Sequence, residues 1–292
     1  MSVRTNSIGR HLPTSGGLGK TLKLARELGC ETAQIFVSNP QGWAVPASRP
    51  DGASFARESR EAGVAPVVAH AKYLINLASV DDEKRWRSVE ALARELVAAG
   101  AVGAELVVVH AGSHGGDGEE RGMARLVEGL ERAREQAAKL AGDPGRVAEP
   151  VVENSVGAGT QLCSTFEALG EVVRRAGARV CVDTAHAFVA GYDFSEEDGG
   201  RAVAGELVAT VGGAVAVVHL NDAKNELGSH RDGHRKVGEG MIPLEALPGF
   251  FEGLPGVPVV METPFKGDEA DAEEVRRVKE LVGGLRKAPD RR

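Results

Sequence analysis

Nine side chains able to bind a divalent metal recur along this sequence in one arrangement. His70, His110, Glu153, Asp183, His219 and Glu262 each close a short apolar run rich in Val, and His186, Asp232 and His234 follow two of those runs. The stretch V-C-V-D-T-A-H-A-F-V-A-G-Y-D at 180–193 shows the pattern, with Asp183 ending the run and His186 three residues beyond, at the start of an expected loop. Alone it says little, because an Asp or Thr there can simply cap a helix and a lone His is an ordinary polar residue. Six consecutive runs ending in a ligand-type residue say more, since strand ends filled at random would be mostly apolar or Gly. In D-G-H at 232–234 the two-residue spacing lets carboxylate and imidazole turn to the same side of an extended segment. Imidazoles and carboxylates without thiolates suit zinc or manganese. Nine donors are too many for one ion; sharing a bridging carboxylate, they suit three.

The remaining histidines carry less. His114, in H-A-G-S-H-G, is a candidate to support the ligands or face substrate, while His11 and His230 read as loop residues, His11 near the mouth of the fold.

The elements that must position these groups alternate strictly. Strands are expected at 2–8, 32–37, 64–70, 106–110, 147–153, 179–183, 214–219 and 257–262. Helices are expected at 18–28, 51–62, 81–99, 119–140, 164–175, 201–211, 243–251 and 271–285, from apolar spacing and from glycines such as Gly29, Gly63 and Gly100 that stop them. Apolar strands alternating with helices argue for a parallel sheet. Eight such units imply an α/β fold, a single (β/α)₈ TIM barrel over 1–287 with the metal site at the C-terminal face of its strands, and a frayed tail at 288–292. A doubly wound open sheet is the alternative, weakened because no G-x-G-x-x-G follows the first strand.

Composition agrees with a globular enzyme: 42% apolar and 26% charged, with only 4% aromatic residues, so Val, Leu and Ala must build the core. Cys30, Cys163 and Cys181 are widely spaced and form no disulfide framework, which suggests a reducing compartment. Cys181, inside an apolar run, reads as a small core residue. The N-terminus has no apolar signal segment and no run approaches a membrane span. The expected location is the cytoplasm, or the nucleus or an organelle in a nucleated cell, and the expected state is a monomer. A net charge of −7 argues against a simple electrostatic nucleic-acid binder.

The strings A-H-A-K-Y-L-I-N-L-A-S at 69–79, V-V-V-H-A-G-S-H at 107–114, V-E-N at 152–154, the 180–193 stretch, V-H-L-N-D-A-K at 218–224, D-G-H…V-G-E-G at 232–240 and M-E-T-P at 261–264 resemble the endonuclease IV family of apurinic/apyrimidinic (AP) endonucleases over nearly the whole chain. The resemblance implies a zinc-bearing (β/α)₈ barrel. It puts one zinc on His70, His110 and Glu153, a second on the bridging Glu153 with Asp183, His219 and Glu262, and a third on His186, Asp232 and His234. It implies cleavage of duplex DNA on the 5′ side of an abasic site, leaving a 3′-hydroxyl, with Glu153 and Glu262 as catalytic carboxylates. Close divalent ions can supply a nucleophile at neutral pH and draw charge off a phosphate. Three doubly charged ions would also offset about six of the seven net negative charges. Lys72, Lys224, Arg231, Arg235, Lys236 and Lys266 would then make a positive mouth on an acidic body. Tyr73 and Leu74 match the family's wedge positions.

Two positions depart from the family pattern. Gln41, in S-N-P-Q-G-W, stands where an Arg that enters DNA is common, and Gly233 stands where an Arg between two ligands is usual. Each removes a cation that would help to hold DNA. A sugar isomerase or epimerase of the xylose-isomerase-like barrels is the competing reading, using one divalent metal on Glu153, Asp183, His219 and Glu262. It leaves His70, His110, His186, Asp232 and His234 without a purpose.

Overall fold

A computed structural model describes residues 5–283. The strands are β1 (Ile8–His11), β2 (Thr32–Phe36), β3 (Val67–His70), β4 (Ala104–His110), β5 (Glu149–Glu153), β6 (Arg179–Asp183), β7 (Val215–His219), β8 (Asp222–Ala223), β9 (His234–Arg235) and β10 (Val259–Met261). The helices are α1 (Leu18–Glu27), α2 (Gly52–Glu61), α3 (Asp82–Ala101), α4 (Glu119–Ala141), α5 (Phe166–Ala176), α6 (Thr184–Ala190), α7 (Gly199–Val211), α8 (Ala246–Glu252) and α9 (Asp268–Gly283). Eight strands close in the order β1-β10-β7-β6-β5-β4-β3-β2, all neighbours parallel, while β8 and β9 form a separate antiparallel ribbon. The expected barrel is therefore the observed one, and the open sheet is excluded.

Strand periodicity explains how the ligands come together. The barrel interior holds Val68, Val108, Val151, Cys181, Val217 and Val260 in one apolar cluster. Each lies two residues before a predicted ligand: His70, His110, Glu153, Asp183, His219 and Glu262. Side chains two apart on a strand share a face, so the ligands form the next inward layer above a dry floor. The register sets His110 opposite Glu153 and Asp183 opposite His219. A second apolar cluster lies between the barrel wall and the helices; from α3 it takes Val89, Leu92, Ala93, Leu96 and Ala99, at helical spacing.

Two local expectations are corrected, and one element is new. The first strand begins at Ile8, where the sequence reading ended it. Its register is fixed by pairing Ile8–Arg10 with Val259–Met261, and Gly9–His11 with Thr32–Gln34. The reading failed because Arg10 is charged and yet buried. Its guanidinium bonds Asp271 at 2.7 Å and Glu274 at 3.2 Å, both on α9. Second, His186 is in the first turn of α6 and not in a loop. Asp183 caps that helix, accepting from the His186 backbone N–H at 2.9 Å, and Gly191 at φ 119° ends it. The β8–β9 ribbon was not anticipated. It folds the 222–235 segment back so that His234 reaches the barrel mouth. Met1 to Arg4, Leu285 and the expected tail at 288–292 lie outside the described residues.

Candidate metal centre

The structure brings the nine predicted ligands to one bowl. His70 Nε2 and His110 Nε2 lie 3.5 and 3.2 Å from Glu153 Oε2. The other Glu153 oxygen lies 2.8 Å from His219 Nδ1, which is 3.3 Å from Glu262 Oε2. Glu153, Asp183, His219 and Glu262 form one compact donor group, and Asp183, His186 and His234 another. Asp232 Oδ1 faces both imidazoles of the latter, 3.5 Å from His186 Nε2 and 3.7 Å from His234 Nε2. Glu153 therefore joins the first two groups, and Asp183, 3.4 Å from His234 Nε2, joins the second and third. The expectation gives Asp183 to one donor group alone; its position lies between two such groups.

These donors fit divalent ions on three independent grounds. First, four-coordinate bonds of about 2.0–2.1 Å set neighbouring donors about 3.3 Å apart, matching most of the spacings above. Second, Glu153 Oε2 and His234 Nε2 are buried and have no hydrogen-bond partner among the described residues, a costly condition unless a cation serves them. Third, three of the five imidazoles are already oriented. His70 donates Nδ1–H to the Ala71 carbonyl at 2.7 Å and His186 donates Nδ1–H to the Asn154 carbonyl at 3.0 Å, so each presents Nε2 to the carboxylates. His219 is reversed: Nε2–H donates to Gln34 Oε1 at 2.9 Å and Nδ1 faces Glu153. A ring nitrogen so directed presents its lone pair to carboxylate oxygens unless a proton or a metal lies between.

The electrostatics express the same demand. Burial depresses the His186 imidazolium, but Asp183, Asp232 and Glu153 outweigh it and lift its pKa to about 10. Burial opposes the charge on His219 and His70 as well and is outweighed in both: Cys181, then Glu262 and Glu153, raise His219, and Glu153 and Glu262 raise His70. Burial would raise Glu153 and Glu262; the surrounding imidazoles, His219 foremost, hold both below the usual carboxylate range. Cys181 lies beneath His219 with its thiol pushed up to about 12 by burial, so it stays a neutral floor residue.

Four supporting residues escaped the sequence reading. Gln34, on β2, accepts from His219 and donates Nε2–H to Glu262 Oε1 at 2.6 Å and to His11 Nδ1 at 3.1 Å. His11 ends β1 inside the site, where burial lowers its pKa; it is not the loop residue expected. Asn154 grips the Asp183 backbone at both ends (2.7 and 3.1 Å), and Asn221 donates to Asp183 Oδ2 at 2.6 Å while accepting from the Glu262 backbone N–H at 2.8 Å. The available signal was position: His11 ends a strand, and each Asn follows a ligand by one or two residues.

Among the residues expected at DNA, Tyr73 is half exposed on the rim, its ring stacked near His110 at 5.8 Å between centroids. Leu74 is beside it, and Gln41 is exposed on the adjoining loop, which meets Tyr73 through Tyr73 N–H to the Pro40 carbonyl at 3.1 Å. A cleft of about 650 Å³ runs from His110, His186 and Asp232 past Tyr73 and Leu74 to Trp43 and Arg87. Lys224, Arg231 and Arg235 are exposed and make no ion pair among the described residues. Lys72 and Lys236 correct the expectation: both are buried, Lys72 against Glu95 and Lys236 against Asp271 and Glu274, so neither offers its charge to a phosphate. Lys266 is exposed but pairs with Glu239. His114 supports its own loop, accepting from the Gly116 and Gly118 backbone N–H groups.

A family model described as a xylose isomerase-like TIM barrel matches residues 22–286. A Streptomyces coelicolor protein named "Probable endonuclease 4" is 39% identical to this chain, covering 97% of each. The crystal structure of endonuclease IV from Thermus thermophilus superposes with a TM-score of 0.83 at 34% identity, over 95% of this chain and 99% of that one. A D-tagatose 3-epimerase-like protein, 21% identical, shares the fold at a TM-score of 0.71 over 96% of this chain and 99% of its own. Sequence and structure together show that the chain belongs to the endonuclease IV family.

Proposed function

We propose that this chain is a zinc-dependent AP endonuclease that hydrolyses the phosphodiester 5′ to an abasic site in duplex DNA and leaves a 3′-hydroxyl. The observation that carries the reading is the set of three donor groups linked through Glu153 and Asp183, with one imidazole in each, His70, His219 and His186, already oriented toward the carboxylates. Manganese would suit some of the same positions. A sugar epimerase needs one of these groups and leaves the other imidazoles idle.

Divalent ions held by these His, Asp and Glu donors would supply a nucleophile at neutral pH and draw charge off a phosphate. The chain does the rest. Glu153, buried, and Glu262, part-buried at the rim of the same group, hold the attacking water or accept its proton. Gln34, Asn154 and Asn221 keep Glu262 and Asp183 from turning away. The apolar floor excludes water from below. Tyr73 and Leu74 enter the duplex at the lesion, where a missing base lowers the cost of unstacking, with Gln41 on the neighbouring loop. Arg231, with Lys224 and Arg235, supplies positive charge to the backbone. No described helix is long and apolar enough to cross a membrane; we place the enzyme in the cytoplasm, acting as a monomer on its DNA.

The test is incision of a duplex carrying one tetrahydrofuran site, with metal measured on the same sample. About three zinc ions per chain are expected, one for each donor group, with a polymerase-extendable 3′ end, and Glu262→Gln should abolish incision. A single ion with ketose turnover and no incision would select the epimerase reading.

A further inference from the structure

Lys72 precedes the wedge residues Tyr73 and Leu74, and its charge is spent inside the protein. Its ammonium donates to the Ser38 hydroxyl, to the Ala44 carbonyl at 2.9 Å and to the Asn39 carbonyl at 3.3 Å, and it pairs with Glu95 Oε1 at 3.3 Å. The same Glu95 oxygen accepts from Ser38. Both charged side chains are about 1% exposed. Three of these contacts are with the 38–44 loop, which carries Gln41 and Trp43; the fourth is with α3. That helix supports both loops again, through Arg87 lying 4.6 Å from the Trp43 ring and Ser88 Oγ accepting from the Asn76 backbone N–H at 3.0 Å. The Tyr73 N–H to Pro40 carbonyl bond closes the loop-to-loop contact.

We infer that Lys72 and Glu95 are positioning residues that lock the Gln41 loop and the Tyr73–Leu74 loop into one rigid wedge on α3. A buried lysine has no solvent in which to spread its charge, so it is committed to the few oxygens around it. Here three of those oxygens come from the 38–44 loop and the fourth from Glu95 on α3, while Lys72 itself belongs to the Tyr73–Leu74 loop. A short loop fixed only by Tyr73 N–H to Pro40 would sample many arrangements; four contacts to one ammonium select one. The inference rests on the reading that these loops enter DNA, but the lock itself exists without DNA.

The test compares wild type, Lys72→Met and the double variant Lys72→Met/Glu95→Leu, each in a Trp86→Phe background so that Trp43 is the sole indole. The double variant leaves no unpaired buried charge and keeps the experiment informative if the single variant unfolds. The expected result is higher acrylamide quenching of Trp43 and faster amide exchange over 38–45. Zinc content and kcat should be unchanged, and KM for the abasic duplex should rise about tenfold as the wedge loses its preset geometry. Unaltered Trp43 quenching and amide exchange in the folded double variant would overturn the lock. Loosened loops with unchanged KM would overturn its role in lesion binding. If wild type itself does not incise, the quenching and exchange results still decide the lock, and the failure belongs to the endonuclease reading.

Discussion

Gln34 Oε1 accepts the Nε2–H of His219 at 2.9 Å while Gln34 Nε2 donates to Glu262 Oε1 at 2.6 Å, so one amide sets both the tautomer of an imidazole and the rotation of a carboxylate in the same donor group. The amide can do this in one orientation only, because its oxygen must meet the donor and its nitrogen the acceptor. Gln34→Ala should free His219 to flip its tautomer and Glu262 to turn. Supporting partners of this kind are worth about 10–100-fold in metal affinity. Chelator competition on the purified variant should show weakened zinc at one group with the other two retained; three ions held as tightly as in wild type would remove Gln34 from this role.

A second buried network fixes where Glu262 and His234 can sit. Arg10 and Lys236 face Asp271 and Glu274, two cations against two carboxylates, with Arg10–Asp271 at 2.7 Å and Lys236–Asp271 at 2.6 Å. Thr263, next to Glu262, donates to Glu274 at 2.8 Å, and Lys236 is two residues past His234. Asp271→Ala leaves two cations facing one carboxylate. Breaking a buried pair costs about 3–5 kcal/mol, so equilibrium unfolding in urea should show a loss of that order. A change below about 1 kcal/mol would be typical of an exposed pair and would contradict the burial described here.

The six strand-end ligands were legible in the sequence because a period of two, a Val-rich run and a polar terminus coincide at each. The network around Arg10 was not, since a charged residue inside a strand reads as a strand boundary until its partners some 260 positions away are known. Lys72 and Lys236 failed for the same reason: a lysine in a loop reads as a solvated charge, and only the fold supplies the carboxylates that bury it. Gln34 was invisible because an amide has no spacing rule, and Asn221 was marked only by its place two residues after His219. His186 was found as a ligand although its surroundings were misread, since Asp183 both caps α6 and contributes to the donor groups; the capping and metal readings of that residue are compatible.

Metal uptake should release protons. Without a cation, the groups around them raise His70, His186 and His219 above the ordinary imidazole range, His186 to about 10. The bound ion needs neutral imidazoles, so zinc binding near pH 6 should expel about three protons per chain from these residues, read by titration in buffers of different ionisation enthalpy. The sign for stability follows. A folded pKa raised from 6.5 to about 10 makes the His186 contribution to metal-free stability complete below about 6.5 and lost as pH rises through 10. The metal-free chain should therefore unfold more readily as pH rises across that window. Zinc uptake without proton release would mean that these nitrogens are not the ligands.

Gln41 offers the cleanest gain-of-function test. It is exposed, its backbone N–H is held by Asn39 Oδ1 at 3.0 Å, and its loop is joined to Tyr73 through Pro40. Nothing in these contacts uses the amide side chain, so Gln41→Arg can be made without disturbing the loop. If the loop faces DNA, the guanidinium gains a phosphate or base partner, tightening abasic-duplex binding and releasing one more counterion. The slope of log K against log salt concentration should steepen by about 0.9, with zinc content unchanged. Binding measured by fluorescence anisotropy across a salt series separates the outcomes: tighter binding with a steeper slope places Gln41 at DNA, whereas equal affinity and equal slope would place the loop away from the duplex.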